Sequence, residues 1–204
     1  YWSLALLSGV LMFVGWPPRI FVFLLFIGFV PILYLENVLH NENKSRWFGW
    51  YTYLALFVWN LLTTWWVGYA SVGGAIAMLF ANSAVMLVPF LAYRYTRKAF
   101  GVTKALTAFI FYWLGFEYLH LNWDISYPWL TLGNGLAMIP VMIQWYEYSG
   151  ILGGSAWILL VNVLFFTLIF DFGNRKMTQI ITVLLVPIGF SVFRYYQFQP
   201  ELKS

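Results

Sequence analysis

Glu117, His120 and Asp124 stand at i, i+3 and i+7 in "GFEYLHLNWD" and could act together on a proton or an ion. On an α-helix that spacing sets a carboxylate, an imidazole and a second carboxylate on one face. Such a stripe could ligate a metal, pass protons or ions, or form a hydrogen-bonded network lining a cavity. A metal site needs more ligands than these. The only other histidine, His40, is expected on the opposite side of the membrane, and a di-iron site also requires a second Glu-x-x-His. A proton or ion relay needs acids on several helices, and the apolar cores of the first, second and seventh hydrophobic runs supply none. A structural or cavity-lining network is therefore the expected role, with no metal or other cofactor.

Covalent catalysis has few candidates in this chain. There is no cysteine, which removes disulfides, thiolate ligands and a cysteine nucleophile. No Gly-x-Ser-x-Gly elbow stands near a histidine, no phosphate loop or dinucleotide fingerprint is present, and the seventh apolar core lacks the lysine of a retinal Schiff base. No residue is assigned a catalytic role. "GGSAW", from Gly153 to Trp157, reads as a helix start with Ser155 as N-cap and glycines that allow close packing. Asn60, Asn82 and Asn162 each fall in an apolar run, where an interhelical hydrogen bond is the expected use. Trp65, Trp66, Trp123, Trp129, Trp145, Tyr146 and Tyr148 gather toward one set of helix ends. An interfacial aromatic belt accounts for them, and a crevice admitting acyl chains is the sharper alternative.

The elements that position these residues follow from composition. The chain has 204 residues, 62% hydrophobic and 9% charged, far below the roughly 25% charged of soluble domains. Several runs reach or approach the ~20 residues that cross a bilayer, without the alternation of barrel strands. The expected fold is all-α: a polytopic membrane bundle of about seven helices in a single domain over residues 1–204. The helices are placed near 2–15, 19–36, 49–70, 73–95, 104–122, 152–171 and 178–195. Trp16, Pro17 and Pro18 force a reversal between the first two.

Counting Lys and Arg on alternate sides gives Lys44, Arg46, Arg94, Arg97, Lys98, Lys104, Arg175 and Lys176 against Arg19, Arg194 and Lys203. The majority side is expected to be cytoplasmic, which puts the N-terminus inside and the C-terminus outside. The net charge of +4 then reports topology, and no nucleic-acid partner is expected. "ENVLHNENKSR", from Glu36 to Arg46, reads as a solvated cytoplasmic loop. The segment from Asp124 to Gly150, rich in helix breakers and aromatics, falls on the outer face. Because the chain begins at Tyr1 and stops just after an apolar run, it is expected to be a piece of a larger protein.

In this order the features resemble the N-terminal membrane domain of the apolipoprotein N-acyltransferase family. "LLSGVLMFVGWPPRIFVFLLFIGFVPIL" is similar to the family's opening hairpin, and "LTTWWVGYA" to the aromatic end of its third helix. The most specific match runs through "YPWLTLGN" and "IPVMIQWYEYSGILGGSAWILLVN". There Pro128, Trp129, Gly133, Pro140, Gln144, Glu147, Gly150, Gly154, Ser155 and Asn162 keep the family's order.

The resemblance implies a bacterial inner-membrane, multi-pass protein. Its parent moves an acyl chain from a phospholipid onto a cysteine, then onto the amino group of a diacylglyceryl-cysteine on an apolipoprotein. That chemistry belongs to a covalently linked, nitrilase-like domain with a Glu-Lys-Cys triad. The domain is absent from this sequence, so the chain alone is expected to be inactive. Its expected role is to anchor that domain and to form a wall of the lipid entrance, with Trp129, Gln144 and Glu147 in the outer segment and Glu117 and His120 beneath. The rival from another class is a small seven-helix transporter or channel.

Overall fold

In this computed structural model the described residues are 1–18, 21–124 and 126–197. Among them are seven α-helices: α1 (Trp2–Gly15), α2 (Val30–Asn41), α3 (Phe48–Thr64), α4 (Val72–Phe100), α5 (Val102–Leu121), α6 (Tyr146–Phe170) and α7 (Asn174–Gln197). Short 3-10 turns fill several junctions, and no strand occurs among the described residues. Arg19, Lys203 and the tail beyond Gln197 lie outside the described residues. Four elements are long and apolar enough to cross a bilayer: Val22–Asn41, Val72–Phe100, Tyr146–Phe170 and Asn174–Gln197.

Most connections are short, the exceptions being those from α1 to α2 and from α5 to α6. The sharpest reversal is between α4 and α5, where Gly101 alone turns the chain at φ 84, a left-handed value that suits glycine. One end of the bundle collects the basic residues. There the Tyr1 hydroxyl donates to Glu42, Arg97 on α4 pairs with Glu36 on α2, and Tyr34 stacks on Phe170 of α6. At the other end Trp66 meets Trp129, and Glu147 pairs with Arg194. The two are called the basic and aromatic ends below.

The second apolar run differs from the continuous helix expected over 19–36. It holds a 3-10 turn, Val22–Phe26, then a break, then α2. Pro31, near the start of α2, has no N–H to donate to Ile27, which uncouples the two halves. The freed backbone groups find side-chain partners. Asn162 on α6 donates from Nδ2 to the Leu25 carbonyl (2.8 Å) and accepts at Oδ1 from the Phe29 N–H (2.8 Å), and Ser8 on α1 donates to the Gly28 carbonyl (2.6 Å). Asn60 and Asn82 likewise join α3 to α4, with Asn82 Nδ2 donating to Asn60 Oδ1 at 2.7 Å.

The core is aromatic. Phe29 packs on Trp113 (4.9 Å between ring centres), Phe90 (5.3 Å) and Trp59 (6.1 Å), drawing the broken second span, α3, α4 and α5 onto one cluster. By contrast α7 buries little, with Ile180 and Ser191 its only fully covered residues.

Three further expectations are corrected. The third helix ends at Thr64 and continues to Tyr69 only as a 3-10 turn. The run from Glu36 to Arg46 is not all loop: Glu36 to Asn41 complete α2, and Glu36 is buried against Arg97, which also donates to Asn37 Oδ1 at 2.7 Å. Ser155 is no N-cap, because α6 begins at Tyr146, bends at Gly150 (φ 63) and carries Ser155 well inside it.

Candidate functional site

At the aromatic end the chain from Pro128 to Trp145 is mostly a succession of 3-10 turns. Thr131 N–H bonds the Pro128 carbonyl, Asn134 bonds Thr131, Ala137 bonds Asn134, Met142 bonds Ile139 and Tyr146 bonds Ile143, all close to 3 Å. Pro128 and Pro140 each start a turn, where their missing N–H has no helical partner to lose. The backbone is thus largely satisfied locally, and the remaining groups are taken by side chains on the flanking helices.

Glu117 Oε1 on α5 accepts the Leu132 N–H (2.8 Å) and the indole N–H of Trp113, one turn earlier (2.8 Å). Ser155 Oγ on α6 accepts the Gly133 N–H (2.9 Å), and the Tyr146 hydroxyl donates to the Gly133 carbonyl (2.9 Å). Glycine is needed here for space, since a Cβ on Gly133 would run into the Ile151 carbonyl. Gly154 does the same for the Tyr146 ring. Leu132 and Leu136 are fully buried, so the segment is a wedge between α5 and α6 with a polar attachment and an apolar tip.

Below the wedge a cavity of about 10 Å³ is lined by polar Asn82, Glu117, His120, Tyr127 and Thr131 together with Met86, Phe116 and Leu130. Among the described residues Asn82 Oδ1 has no hydrogen-bond partner, while Glu117 also has Ser155, and His120 the Tyr127 backbone, as a polar neighbour. His120 is only 7% exposed and lies between the rings of Phe116 and Trp123, 5.3 Å from each. Tyr127 is buried outside the helices, and that burial pushes its phenol above the usual range against a hydrogen bond with Thr64. One carboxylate and one imidazole with amide and hydroxyl oxygens make a hydrogen-bonding set.

The candidate residues divide into two groups. Glu117 and His120 share the cavity. Asp124 does not join them, because α5 ends at Leu121 and Asp124 lies exposed in the turn beyond. Trp129, Gln144 and Glu147 are at the surface and have three different neighbours: Trp129 meets Trp66 edge-on (5.2 Å), Gln144 turns back on the Pro140 carbonyl (2.8 Å), and Glu147 pairs with Arg194 of α7 (3.0 Å).

Sequence reasoning missed Trp113, Tyr146, Tyr127 and Thr131 as parts of this site. Trp113 could have been found, since it stands four residues before Glu117 on the same face. Tyr127 and Thr131 carry no such signal, because they enter through irregular backbone.

A family model described as the apolipoprotein N-acyltransferase N-terminal domain matches residues 8–164. The apolipoprotein N-acyltransferase of Chlorobaculum tepidum is 33% identical over 190 residues, covering 91% of this chain and 35% of that protein. That of Geobacter metallireducens is 28% identical over 213 residues, covering 95% and 40%. The chain therefore spans well under half the length of the curated relatives it matches. No solved structure matches it.

Proposed function

Because this chain belongs to the apolipoprotein N-acyltransferase family, we propose that it is the membrane platform of a longer lipoprotein N-acyltransferase. It holds a catalytic domain at the bilayer surface and forms one wall of the passage by which lipid substrates reach that domain. In this reading all seven helices cross the inner membrane. The basic end is cytoplasmic by the positive-inside rule, and the aromatic end is periplasmic.

The parent's reaction is a two-stage acyl transfer. An acyl group leaves a phospholipid ester for a cysteine thiolate of the linked domain, and the resulting thioester is then attacked by the α-amino group of a diacylglyceryl-cysteine. This chain contributes position and surface to that chemistry, and no reacting atom.

The observation that carries the reading is the wedge. Irregular backbone survives at membrane depth only where protein or water covers it. Here Glu117, Ser155 and Tyr146 fix the backbone from below, while Trp129 and Tyr148 stay more than half exposed above. A fixed floor under an exposed aromatic rim suits apolar chains arriving from the bilayer and polar groups arriving from the periplasm. The family match favours this role over a transporter or channel.

The test is Trp129→Ala and Glu147→Ala in the full-length enzyme, with thioester formation and transfer to the lipoprotein measured separately. Trp129→Ala is expected to slow one or both stages about tenfold, the size of effect of losing one aromatic contact. If neither substitution changes either stage, the entrance role is wrong.

A further inference from the structure

A second feature lies beside the wedge, on the outer face of the bundle. Between α4 and α5 runs an open groove of about 530 Å³, inside the range of small-molecule sites. Its walls are apolar: Val88, Pro89 and Ala92 on α4 face Phe111, Gly115 and Leu119 on α5. Val88, Phe111 and Leu119 are each more than half exposed, so none of the described residues covers it.

Its dimensions point to an occupant. The groove follows α5 from Phe111 to the helix end at Leu121, about 15 Å at 1.5 Å per residue, which equals one leaflet of a ~30 Å hydrocarbon core. Tyr112 lies at the deep end, its hydroxyl engaged with that of Thr96 at 2.9 Å. His120, Asn122 and Trp123 line the aromatic end; Asn122 Nδ2 donates to the Tyr118 carbonyl (2.6 Å), which leaves its second N–H and its oxygen beside the indole N–H. The groove is apolar along one leaflet's depth and polar where that leaflet meets water. α4 is among the elements apolar and long enough to cross the bilayer, and α5 packs along it with Phe111 and Leu119 exposed, so this face is taken to lie against hydrocarbon.

We infer that the α4/α5 groove is a binding site for one acyl chain of a glycerophospholipid in the leaflet at the aromatic end, with the ester region at Asn122 and Trp123. The groove shares Phe116 and His120 with the cavity under the wedge but includes none of Trp129, Gln144 and Glu147, which the entrance reading tests. It requires only that α4 and α5 cross the bilayer, so either proposal can fail without the other.

Gly115 makes the site testable. A Cβ built there meets nothing within 4 Å, so a larger side chain fills the groove without disturbing its protein neighbours. Leucine is also a better helix former than glycine. The full-length protein carrying this chain is placed in nanodiscs of phosphatidylethanolamine and phosphatidylglycerol, doped with phosphatidylethanolamine bearing a diazirine midway along one acyl chain. After irradiation the adducts are mapped by peptide mass spectrometry.

The wild-type protein is expected to carry adducts concentrated on the groove walls of α4 and α5. Gly115→Leu is expected to reduce them about tenfold or more, since losing about two buried methylenes is worth a factor of that size. Gly115→Ala should retain most of them, and an unchanged melting temperature of both variants shows that the fold is intact. Adducts spread evenly over all lipid-facing helices, or undiminished in Gly115→Leu, overturn the proposal. So does a protein segment cross-linked into the groove in place of lipid.

Discussion

Glu117 accepts the main-chain N–H of Leu132 at 2.8 Å, so an acid near the end of α5 holds backbone fifteen residues further along the chain. Replacing it with alanine strands two buried donors, the Leu132 N–H and the Trp113 indole. At about 1–3 kcal/mol for each unmatched group, Glu117→Ala is expected to lower stability by ~2–6 kcal/mol. Glu117→Gln keeps an acceptor oxygen and should lose far less. Melting of both variants in detergent, with hydrogen exchange at Leu132, checks the difference. Equal losses would mean that the charge matters more than the acceptor.

Gly133→Ala tests the close approach of the wedge to α6. The added methyl would meet the Ile151 carbonyl, a backbone atom that cannot swing away, whereas a Cβ at Gly68 would meet open space. Overpacking of this kind costs about 1–3 kcal/mol. Gly133→Ala should therefore lower the melting temperature and open the segment to proteolysis, with Gly68→Ala close to wild type.

Asn162→Leu removes the side chain that spans the break in the second span. The Phe29 N–H loses its partner and the Leu25 carbonyl loses its shortest donor, keeping the Gly28 N–H at 3.4 Å, and the alternative for the Phe29 N–H in a bilayer is hydrocarbon. The expected cost is about 1–3 kcal/mol, mostly from the stranded Phe29 N–H. The specific readout is faster exchange of the Phe29 amide than of amides in α3.

Two ion pairs should respond very differently to truncation. Arg97 and Glu36 are buried, and removing one leaves an uncompensated charge at a cost of about 3–5 kcal/mol. Arg194 and Glu147 are well exposed, and such pairs contribute about 0–1 kcal/mol. Arg97→Ala should compromise folding while Glu147→Ala leaves melting unchanged. Any activity lost in Glu147→Ala therefore reports on function and not on stability.

The cavity under the wedge is expected to hold one ordered water. Its volume of about 10 Å³ is close to the lower bound for a single molecule. Asn82, Glu117 and His120 all present buried polar atoms among its wall residues. An experimental density map showing a water bonded to at least two of these side chains would meet the expectation, and an apolar or collapsed void would defeat it.

Much of the frame was legible because bilayer physics writes it into long apolar runs. The start of the first helix and the break at Trp16 to Pro18 needed only hydropathy and breakers, whereas the fourth helix, expected to end at 95, runs on through its basic last turns to Phe100. The break before α2 was hinted at by Pro31 but masked by the apolar residues around it. The wedge was recognisable as irregular, yet its attachments were not, because Leu132 and Gly133 are held through main-chain groups that any residue would offer. Ser155 looked like a cap because small residues precede it, whereas the helix begins earlier and bends at Gly150. Glu36 and Arg97 are 61 residues apart, and nothing local distinguishes a buried pair from two loop charges.

The wiring of the wedge also fixes an order in time. Its own turns reach only three residues along the chain, while its outside anchors sit before it on Glu117 and after it on Ser155 and Tyr146. Those anchors stand opposite one another only after α5 and α6 have come together, so the loop must close before any of its long-range bonds can repay the entropy. The wedge is therefore the last part to assemble and the first to come loose. Substitutions within it should speed unfolding far more than they slow the gathering of the helices.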